Sequence, residues 1–242
     1  MGRLAFVAAF ASLVGGTPAM ATSVFTENFN GETPSLSASL SQFAVTGSVD
    51  VVAATNPYGI AVPSPASGNV LDINGTGAAG LITSVASFAF NAGDLVTLSF
   101  DLGGSQRGGV GDIFSTSLLF GGNTAFSNLS GTGLYSGLSG SGDTPTLLES
   151  LFVTGTTPFT SSSISFIAQD AGTLRFSFGS PSTDNIGPLL DNIGLQVTSP
   201  ALTDFSPNPE PSTWMTMLLG FALIGSVMRK TREHRTINYN LA

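Results

Sequence analysis

Two acidic side chains, Glu27 and Asp191, lie at positions where the sequence predicts the protein interior. Glu27 alternates with Phe25 and Phe29, and Asp191 is in phase with Ile193. Successive side chains of a strand point to opposite faces, so both carboxylates should point inward with their apolar neighbours. A buried carboxylate needs a partner, and backbone amides at strand ends are one source of hydrogen bonds for it.

The residues from Thr22 to Pro207 contain neither cysteine nor histidine, because the chain has no cysteine and its single histidine is His234. This composition excludes serine and cysteine triads, histidine-ligated zinc and thiolate redox chemistry. Glycoside hydrolysis would need only two carboxylates about 5 to 9 Å apart. Asp101 and Asp112 flank a Gly-rich loop, and Asp143 and Glu149 flank another loop. Since no spacing or aromatic subsite selects either pair, we expect that the chain is not an enzyme.

Three further residues are candidate ligand contacts. Tyr58 and Tyr135 are placed in predicted loops, where an aromatic ring can stack on a sugar. Arg107 is carried by the Gly-rich stretch 103–112, which lacks the Lys-Ser/Thr ending and the following helix of a phosphate-binding loop. Two hypotheses therefore stay open: a sugar-binding site formed by Tyr58, Tyr135 and Arg107, or a segment from Thr22 to Pro207 that binds no ligand.

The elements that must position these residues are strands. Alternation with period two runs from Val24 to Val197, and no segment of that range has a 3.6-residue period. We predict about ten strands, in these ranges: 24–29, 43–54, 70–74, 81–90, 95–102, 113–120, 147–153, 159–169, 173–179 and 189–198. A Gly/Ser-rich stretch at 130–144 is predicted to be a long surface loop or hairpin tip, and the strands 159–169 and 173–179 to form a hairpin. The pattern predicts an all-β jelly-roll sandwich of two packed antiparallel sheets.

The charge of the predicted body is strongly negative. Between Thr22 and Pro207 there are thirteen acidic residues and only two basic ones, Arg107 and Arg175. Nothing in this range would displace counterions from phosphates, so nucleic acid is excluded as a partner. An acidic surface of this kind favours solubility and divalent cations.

Both ends of the chain have the composition of targeting segments. Arg3 precedes an apolar run from Leu4 to Val14, and small residues precede a cleavage site after Ala21. This predicts a secretory signal peptide at 1–21, followed by the β body at 22–199. Signal peptidase and the general secretion machinery are the partners that such a segment requires.

The C-terminal part contains a linker at 200–213, an uncharged stretch at 214–228 and a basic tail at 229–242. The linker ends in the triplet Pro209-Glu210-Pro211, whose prolines favour an extended segment. A helix over 214–228 would be roughly 22 Å long, against about 30 Å for a membrane core. We predict a short transmembrane helix, with the basic tail on the cytoplasmic side.

This triplet, apolar helix and basic cluster, in that order, resemble the PEP-CTERM sorting signal of Gram-negative bacteria. Residues 236–242 extend past the usual end of such signals. The resemblance implies an exosortase that cuts near Pro209, Glu210 and Pro211, transient anchoring in the inner membrane, and delivery to the cell surface or the extracellular space. It also implies a link to exopolysaccharide or biofilm. An ordinary single-span anchor is the alternative.

The body also resembles the galactose-binding-like jelly-roll domains that are often joined to such signals. The resemblance rests on Glu27-Asn28-Phe29-Asn30-Gly31, on Leu98 to Arg107 and on Gly187 to Ile193. It implies that the first and last strands are neighbours and that Glu27, Asn30 and Asp191 form a structural calcium site, although relatives more often have aspartate where this chain has Asn30. Many relatives bind carbohydrate, and many others have no assigned role.

Together these features predict an exported surface or matrix protein with a structural or adhesive role, linked to exopolysaccharide or biofilm. The alternative is a carbohydrate-binding module with a defined glycan ligand.

Overall fold

A computed structural model describes residues 21–53, 55, 59–60, 67–108, 111–200 and 211–233. The chain forms two units, one holding the β body and the other holding a C-terminal helix. The elements of the body are twelve strands and one short 3-10 turn at Gly133–Tyr135: β1 (Ala21–Glu27), β2 (Phe43–Gly47), β3 (Asp50–Val52), β4 (Val70–Asp72), β5 (Gly80–Ser84), β6 (Phe88–Phe90), β7 (Leu95–Gly103), β8 (Asp112–Thr132), β9 (Ser139–Val153), β10 (Thr160–Ala168), β11 (Gly172–Gly179) and β12 (Leu189–Thr198).

The described strands form one continuous antiparallel sheet rather than the two separate sheets that the sequence predicts. Its order is β2-β5-β11-β8-β10-β7-β12-β4-β3, with β1 on β12, β6 on β11 and β9 on β8. The 21-residue strand β8 joins two halves of this sheet, β2-β5-β11 on one side and β10-β7-β12-β4-β3 on the other. It can do so because its first part pairs with β11 and its last part pairs with β10. The body is thus mostly β with a curled sheet, which is consistent with a jelly roll.

The core lies between the two halves of the curled sheet. Phe100 on β7 and Phe178 on β11 belong to strands that are not neighbours, yet their ring centroids are 4.9 Å apart. Phe25 on β1 contacts Phe43 at 5.7 Å and Phe176 at 5.2 Å. Burial of these aromatic side chains supplies a large part of the apolar area removed from water.

The alternation predicted for the first and last strands is confirmed. Phe25, Glu27 and Phe29 are all buried at the end of β1 and just beyond it. On β12, Asp191 is fully buried and Ile193 is almost fully buried. β1 pairs antiparallel with β12, so the first and last strands of the body are neighbours.

Two predicted strands are divided in the structure, and one predicted loop is largely strand. The predicted strand 43–54 is divided between β2 and β3, because Gly47 has a φ of +77° and a Cβ there would lie 1.8 Å from the carbonyl oxygen of Ala79. The predicted strand 81–90 is divided between β5 and β6. The predicted loop 130–144 is largely strand, since β8 continues to Thr132 and β9 begins at Ser139; only the connection between them is a hairpin tip.

The predicted hairpin of β10 and β11 does not form. β10 pairs with β7 and β8, and β11 pairs with β5, β6 and β8. β8 therefore lies between the two strands, and the short connection at 169–171 joins strands of different halves of the sheet.

The C-terminal unit contains one described helix, α1 (Pro211–Glu233), which includes the predicted helical range 214–228. Within the described ranges, no helix has both the length and the apolar character that crossing a membrane requires. The predicted transmembrane span therefore has no support from the structure. Several predicted features lie outside the described residues. They are the predicted signal peptide, except for its last residue Ala21, and the residues Tyr58, Pro209 and Glu210. Pro211 is the first residue of α1.

Candidate functional site

A cleft of about 580 Å³ opens beside the β1–β12 pair. β1, β7 and β12 supply one part of its lining, and the segment between β1 and β2 supplies the rest. Its lining residues are Ser23, Thr26, Glu27, Asn28, Gly31, Glu32, Ser41, Gln42, Ser99, Asn192, Ile193, Gly194 and Gln196. Apart from the glycines and Ile193, every lining side chain carries a hydroxyl, an amide or a carboxylate.

The sheet register brings these lining residues together. Thr26 on β1 lies opposite Gly194 on β12, which lies opposite Ser99 on β7. The Ser99 hydroxyl donates to the Gly194 carbonyl oxygen at 3.3 Å. Because Gly194 has no side chain, it leaves a depression in the middle of this row, and the groups on either side of it form the walls of the cleft.

Glu27 is at the inner edge of the cleft, with only 9% of its surface exposed. Its Oε1 accepts a hydrogen bond from the Phe29 backbone amide at 2.6 Å, and its Oε2 accepts one from the Gln42 side-chain amide at 2.8 Å. The same Gln42 nitrogen donates to the Thr26 carbonyl oxygen at 3.3 Å. The carboxylate therefore orients Gln42 against β1 and fixes one wall of the cleft.

A second carboxylate, Glu32, holds together two parts of the connection between β1 and β2. Its Oε1 accepts hydrogen bonds from the Ser41 backbone amide at 2.8 Å and the Ser41 hydroxyl at 2.6 Å. By contrast, the exposed side chains of Thr26 and Gln196 have no hydrogen-bond partner within the described residues. These two side chains are available to bind a ligand in the cleft.

The carboxylate of Asp191 lies beneath the cleft and is fully buried. Its Oδ1 accepts from the Asn192 backbone amide at 2.8 Å, and its Oδ2 accepts from the Ser67 backbone amide at 3.2 Å. Burial raises the pKa of Asp191 to about 6, and the charges of Asp101 and Glu27 add to the rise. The predicted inward orientation is therefore correct, and the partners of this carboxylate are backbone amides.

Asn30 is held in a different contact. Its Oδ1 accepts a hydrogen bond from the Asn69 backbone amide at 2.8 Å, and a Cβ on Gly68 would lie 2.0 Å from that oxygen. The Asn69 side chain in turn donates to the carbonyl oxygens of Phe29 and Glu32 at 3.2 and 3.0 Å. Asn30 therefore holds the 67–69 segment against the end of β1.

The side-chain oxygens of Glu27, Asn30 and Asp191 accept hydrogen bonds from N–H groups. Calcium takes six to eight oxygen ligands, whereas the groups that face these side-chain oxygens are N–H donors, which point partial positive charge at them. Among the residues that the structure describes, no three acidic, histidine or cysteine side chains are grouped so as to hold a metal. These contacts favour the hydrogen-bonded alternative, and the calcium site that the resemblance implies stays a prediction.

Tyr135 does not present the exposed ring that sugar stacking needs. Only 4% of its surface is exposed, and its ring packs against Phe100 at 5.7 Å. Its hydroxyl is hydrogen-bonded to the Thr116 hydroxyl at 2.8 Å. Tyr135 belongs to the core because the 3-10 turn that carries it folds back over the sheet.

Arg107 is engaged in an ion pair rather than facing the cleft. Its Nη2 donates to Asp72 Oδ2 at 2.7 Å and to the Asn185 carbonyl oxygen at 3.2 Å. Asp72 Oδ1 also accepts from the backbone amides of Asn74 and Gly187, each at 3.0 Å. Burial raises the pKa of Asp72 to about 7, while the Arg107 charge opposes the rise. Arg107 thus ties the Gly-rich stretch to β4 and the 180–188 connection.

Of the two acidic pairs considered for glycoside hydrolysis, Asp143 and Glu149 are too far apart to act together. Asp143 and Glu149 are six residues apart on β9, which separates them by roughly 20 Å along a strand. Asp101 accepts hydrogen bonds from the Ser161 hydroxyl at 2.5 Å and the Asn192 side-chain amide at 2.7 Å. These donors give Asp101 a structural role in joining β7, β10 and β12.

No family model and no curated protein matches the chain. Among solved structures, it is similar to the CBM22-1 xylan-binding domain of Paenibacillus barcinonensis Xyn10C, with 13% identity over 76% of this chain and 100% of that chain and a TM-score of 0.40. It is also similar to the K3 cleaved adhesin domain of Porphyromonas gingivalis Lys-gingipain, with 15% identity over 75% and 100% of the chains and a TM-score of 0.37. A family 11 carbohydrate-binding module from Clostridium thermocellum has 14% identity over 70% and 94% of the chains and a TM-score of 0.31.

Proposed function

We propose that the β body is a glycan-binding module that holds neutral polysaccharide in the cleft beside β1 and β12. The observation that carries the proposal is the lining of the cleft, in which the side chains of Thr26 and Gln196 are free to hydrogen-bond. Ligand sites of about 300 to 1,000 Å³ place a few polar groups to orient the ligand, and a volume of about 580 Å³ lies within that range.

Charge favours a neutral ligand over an acidic one. The cleft is lined by two carboxylates, Glu27 and Glu32, and no lysine or arginine. The segment from Thr22 to Pro207 also carries thirteen acidic residues against two basic ones. An anionic polysaccharide would be repelled by both, whereas neutral sugar hydroxyls can accept from the Gln196 amide and donate to carbonyl and carboxylate oxygens.

The same lining favours binding without cleavage. Both oxygens of Glu27 accept hydrogen bonds from Phe29 and Gln42, and Glu32 holds Ser41. A glycosidase needs one carboxylate to supply a proton and another to attack or to activate water. The two carboxylates in this cleft instead support its walls, so we propose a binding protein rather than an enzyme.

Affinity electrophoresis in gels that contain neutral or acidic polysaccharides tests the glycan-binding proposal. We expect neutral polysaccharide to retard the protein, and Gln196→Ala to weaken binding on the order of fivefold, the worth of about one hydrogen bond. Gln169→Ala is the matched control, because Gln169 donates to Ser127 at 2.8 Å and does not line the cleft. Retardation by none of the neutral polysaccharides, or equal retardation of Gln196→Ala and the wild type, would reject the cleft as the site.

We further propose that the chain is exported and sorted, as its two ends suggest. The signal peptide at 1–21 would be removed by signal peptidase, and an exosortase would cut near Pro209, Glu210 and Pro211 and leave the module at the cell surface or in the extracellular matrix. There the module would have an adhesive role on exopolysaccharide. Mass spectrometry of the mature protein should find neither the first 21 residues nor the basic tail, and a mature chain that still ends at Ala242 would reject the sorting step.

A further inference from the structure

Strand β9 lies at an edge of the sheet. Among the described strands it pairs only with β8, through a register that runs from Asp112 opposite Val153 to Ser130 opposite Ser139. The backbone groups on the other side of β9 are therefore available to a further strand. With 15 residues, β9 is a long edge strand.

The second half of β9 has little of the protection that edge strands usually have. Soluble proteins shield such edges with charged residues, prolines, bulges or short strands. Between Leu147 and Val153 the only charged residue is Glu149, and there is no proline. Leu148 is 59% exposed and Phe152 is 62% exposed, so two large apolar side chains project from the outer face of this edge.

The apolar strip continues onto β8. Ile113, which is 49% exposed, lies directly opposite Phe152 in the register of β8 and β9. Ile113, Phe152 and Leu148 thus form an exposed apolar surface on one face of the sheet at its edge. Clusters of this kind on an otherwise polar β protein are typical of interaction surfaces.

We propose that β9 pairs antiparallel with β9 of a second copy of the chain, about a two-fold axis at Ser150. The sequence around Ser150 is nearly symmetric in polarity: Leu-Leu-Glu-Ser-Leu-Phe-Val from 147 to 153. In this register Leu148 lies opposite Phe152 of the second copy, and the reverse contact repeats it. Glu149 lies opposite Leu151 of the second copy, so the two glutamates do not face each other.

This symmetry is the reason to assign a second copy as the occupant. A two-fold contact places residue i opposite residue j and j opposite i, and about Ser150 this pairs Leu147 with Val153 and Leu148 with Phe152, apolar with apolar. Pairing with the strand of an unrelated protein would not require this match of apolar positions about one residue. The two bodies are both strongly acidic and repel each other, so the dimer should strengthen as salt screens their charges. The proposal does not rest on glycan binding, since neither β8 nor β9 lines the cleft.

Cross-linking at the two-fold axis tests the register. The chain has no cysteine, so Ser150→Cys introduces the only thiol. Directly opposite residues of an antiparallel pair have Cα atoms about 4.5 to 5.5 Å apart, within the range that a disulfide spans. Mild oxidation of the full chain should give a disulfide-linked dimer. The matched control is Val85→Cys, because Ser150 and Val85 are both exposed but Val85 lies in the connection between β5 and β6; this variant should stay monomeric on a non-reducing gel.

Sedimentation of the full chain provides a second test that needs no cross-link. The wild type should shift from monomer to dimer with rising concentration, and the shift should move to lower concentration at high salt. Phe152→Lys should lose the dimer, whereas Val85→Lys should keep it; both side chains are exposed, so both variants should melt near the wild type. A wild type that is monomeric at every concentration and salt, a dimer that survives Phe152→Lys, or equal cross-linking of Ser150→Cys and Val85→Cys would each overturn the proposal.

Discussion

Asp191 lies directly opposite Asp101 across the β7–β12 pair, and both carboxylates are buried. The side-chain amide of Asn192, at a bulge with a φ of 49°, donates to Asp101 at 2.7 Å, and the Asn192 backbone amide donates to Asp191 at 2.8 Å. One residue thus supplies a donor to each carboxylate. Even so, burial together with this like-charged neighbour favours the protonated form of Asp191.

The stability of the body should decrease as pH rises through the titration of Asp191. Burial raises the pKa of Asp191 from 3.8 to about 6, so the folded state binds this proton more tightly than the unfolded state does. The resulting stabilisation is full below about pH 4 and is lost as pH rises through about 6. A shift of this size corresponds to about 1–3 kcal/mol. Thermal melts between pH 4 and pH 7 should show a smaller decrease for Asp191→Asn than for the wild type; an equal decrease would assign the effect to other groups.

Removing calcium should leave the body unchanged. Because the oxygens of Glu27, Asn30 and Asp191 accept N–H groups, we expect the same melting temperature in a chelator and in millimolar calcium. Differential scanning calorimetry measures both directly. A melting temperature that rises with calcium in the wild type but not in Glu27→Gln would support the calcium site that the resemblance implies.

Replacing Tyr135 by phenylalanine should lower stability without changing ligand binding. The substitution removes the buried hydrogen bond to Thr116 and leaves that hydroxyl unpaired, at a cost of about 1–2 kcal/mol. Urea unfolding should show a lower midpoint with an unchanged slope. If Tyr135→Phe instead weakened polysaccharide binding at unchanged stability, the Tyr135 hydroxyl would have a ligand role that its burial does not allow.

Loss of the Arg107 charge should destabilise the body most at high pH. Arg107→Met leaves the buried carboxylate of Asp72 without its cation, which costs on the order of 3 kcal/mol when that carboxylate is ionised. The pKa of Asp72 is already raised to about 7, so below that pH the carboxyl takes up a proton and the loss shrinks. Urea unfolding at pH 5 and pH 8 should show this difference. Arg107→Lys, which keeps the charge, should show a smaller loss at pH 8, and a pH-independent loss would contradict the assignment.

Sequence patterns predict those parts of the fold in which burial follows period-two alternation. The pattern predicts β12 from Leu189 to Thr198 and the strand has those bounds, because its inward positions other than Asp191 are large and apolar. The later part of β8 and the earlier part of β9 lack this signal, since Gly121, Gly122 and Gly140 interrupt the apolar pattern. These parts are strands because they pair with each other, and a pattern of apolar residues within one segment does not predict such pairing.

The cleft could not be predicted from the sequence for a related reason. Two of its free side chains, on Thr26 and Gln196, are 170 positions apart and ordinary by type. They lie near each other only because β1 pairs with β12. Tyr135 shows the converse: an aromatic residue in a Gly/Ser-rich stretch suggested an exposed ring, whereas a single 3-10 turn directs it into the core.

The pairing of β1 with β12 also sets the order in which the body can be completed. Ala21 lies opposite Thr198, and Phe25 of β1 packs against Phe88 and Phe176 in the core. Contacts between the two ends of a chain close late and slow its folding. While the chain emerges from a ribosome, its first strand has no neighbour until the last strand has been made. The sheet lacks its β1–β12 pairing during that time, which suits the export proposed above, since a secretion channel passes unfolded chains.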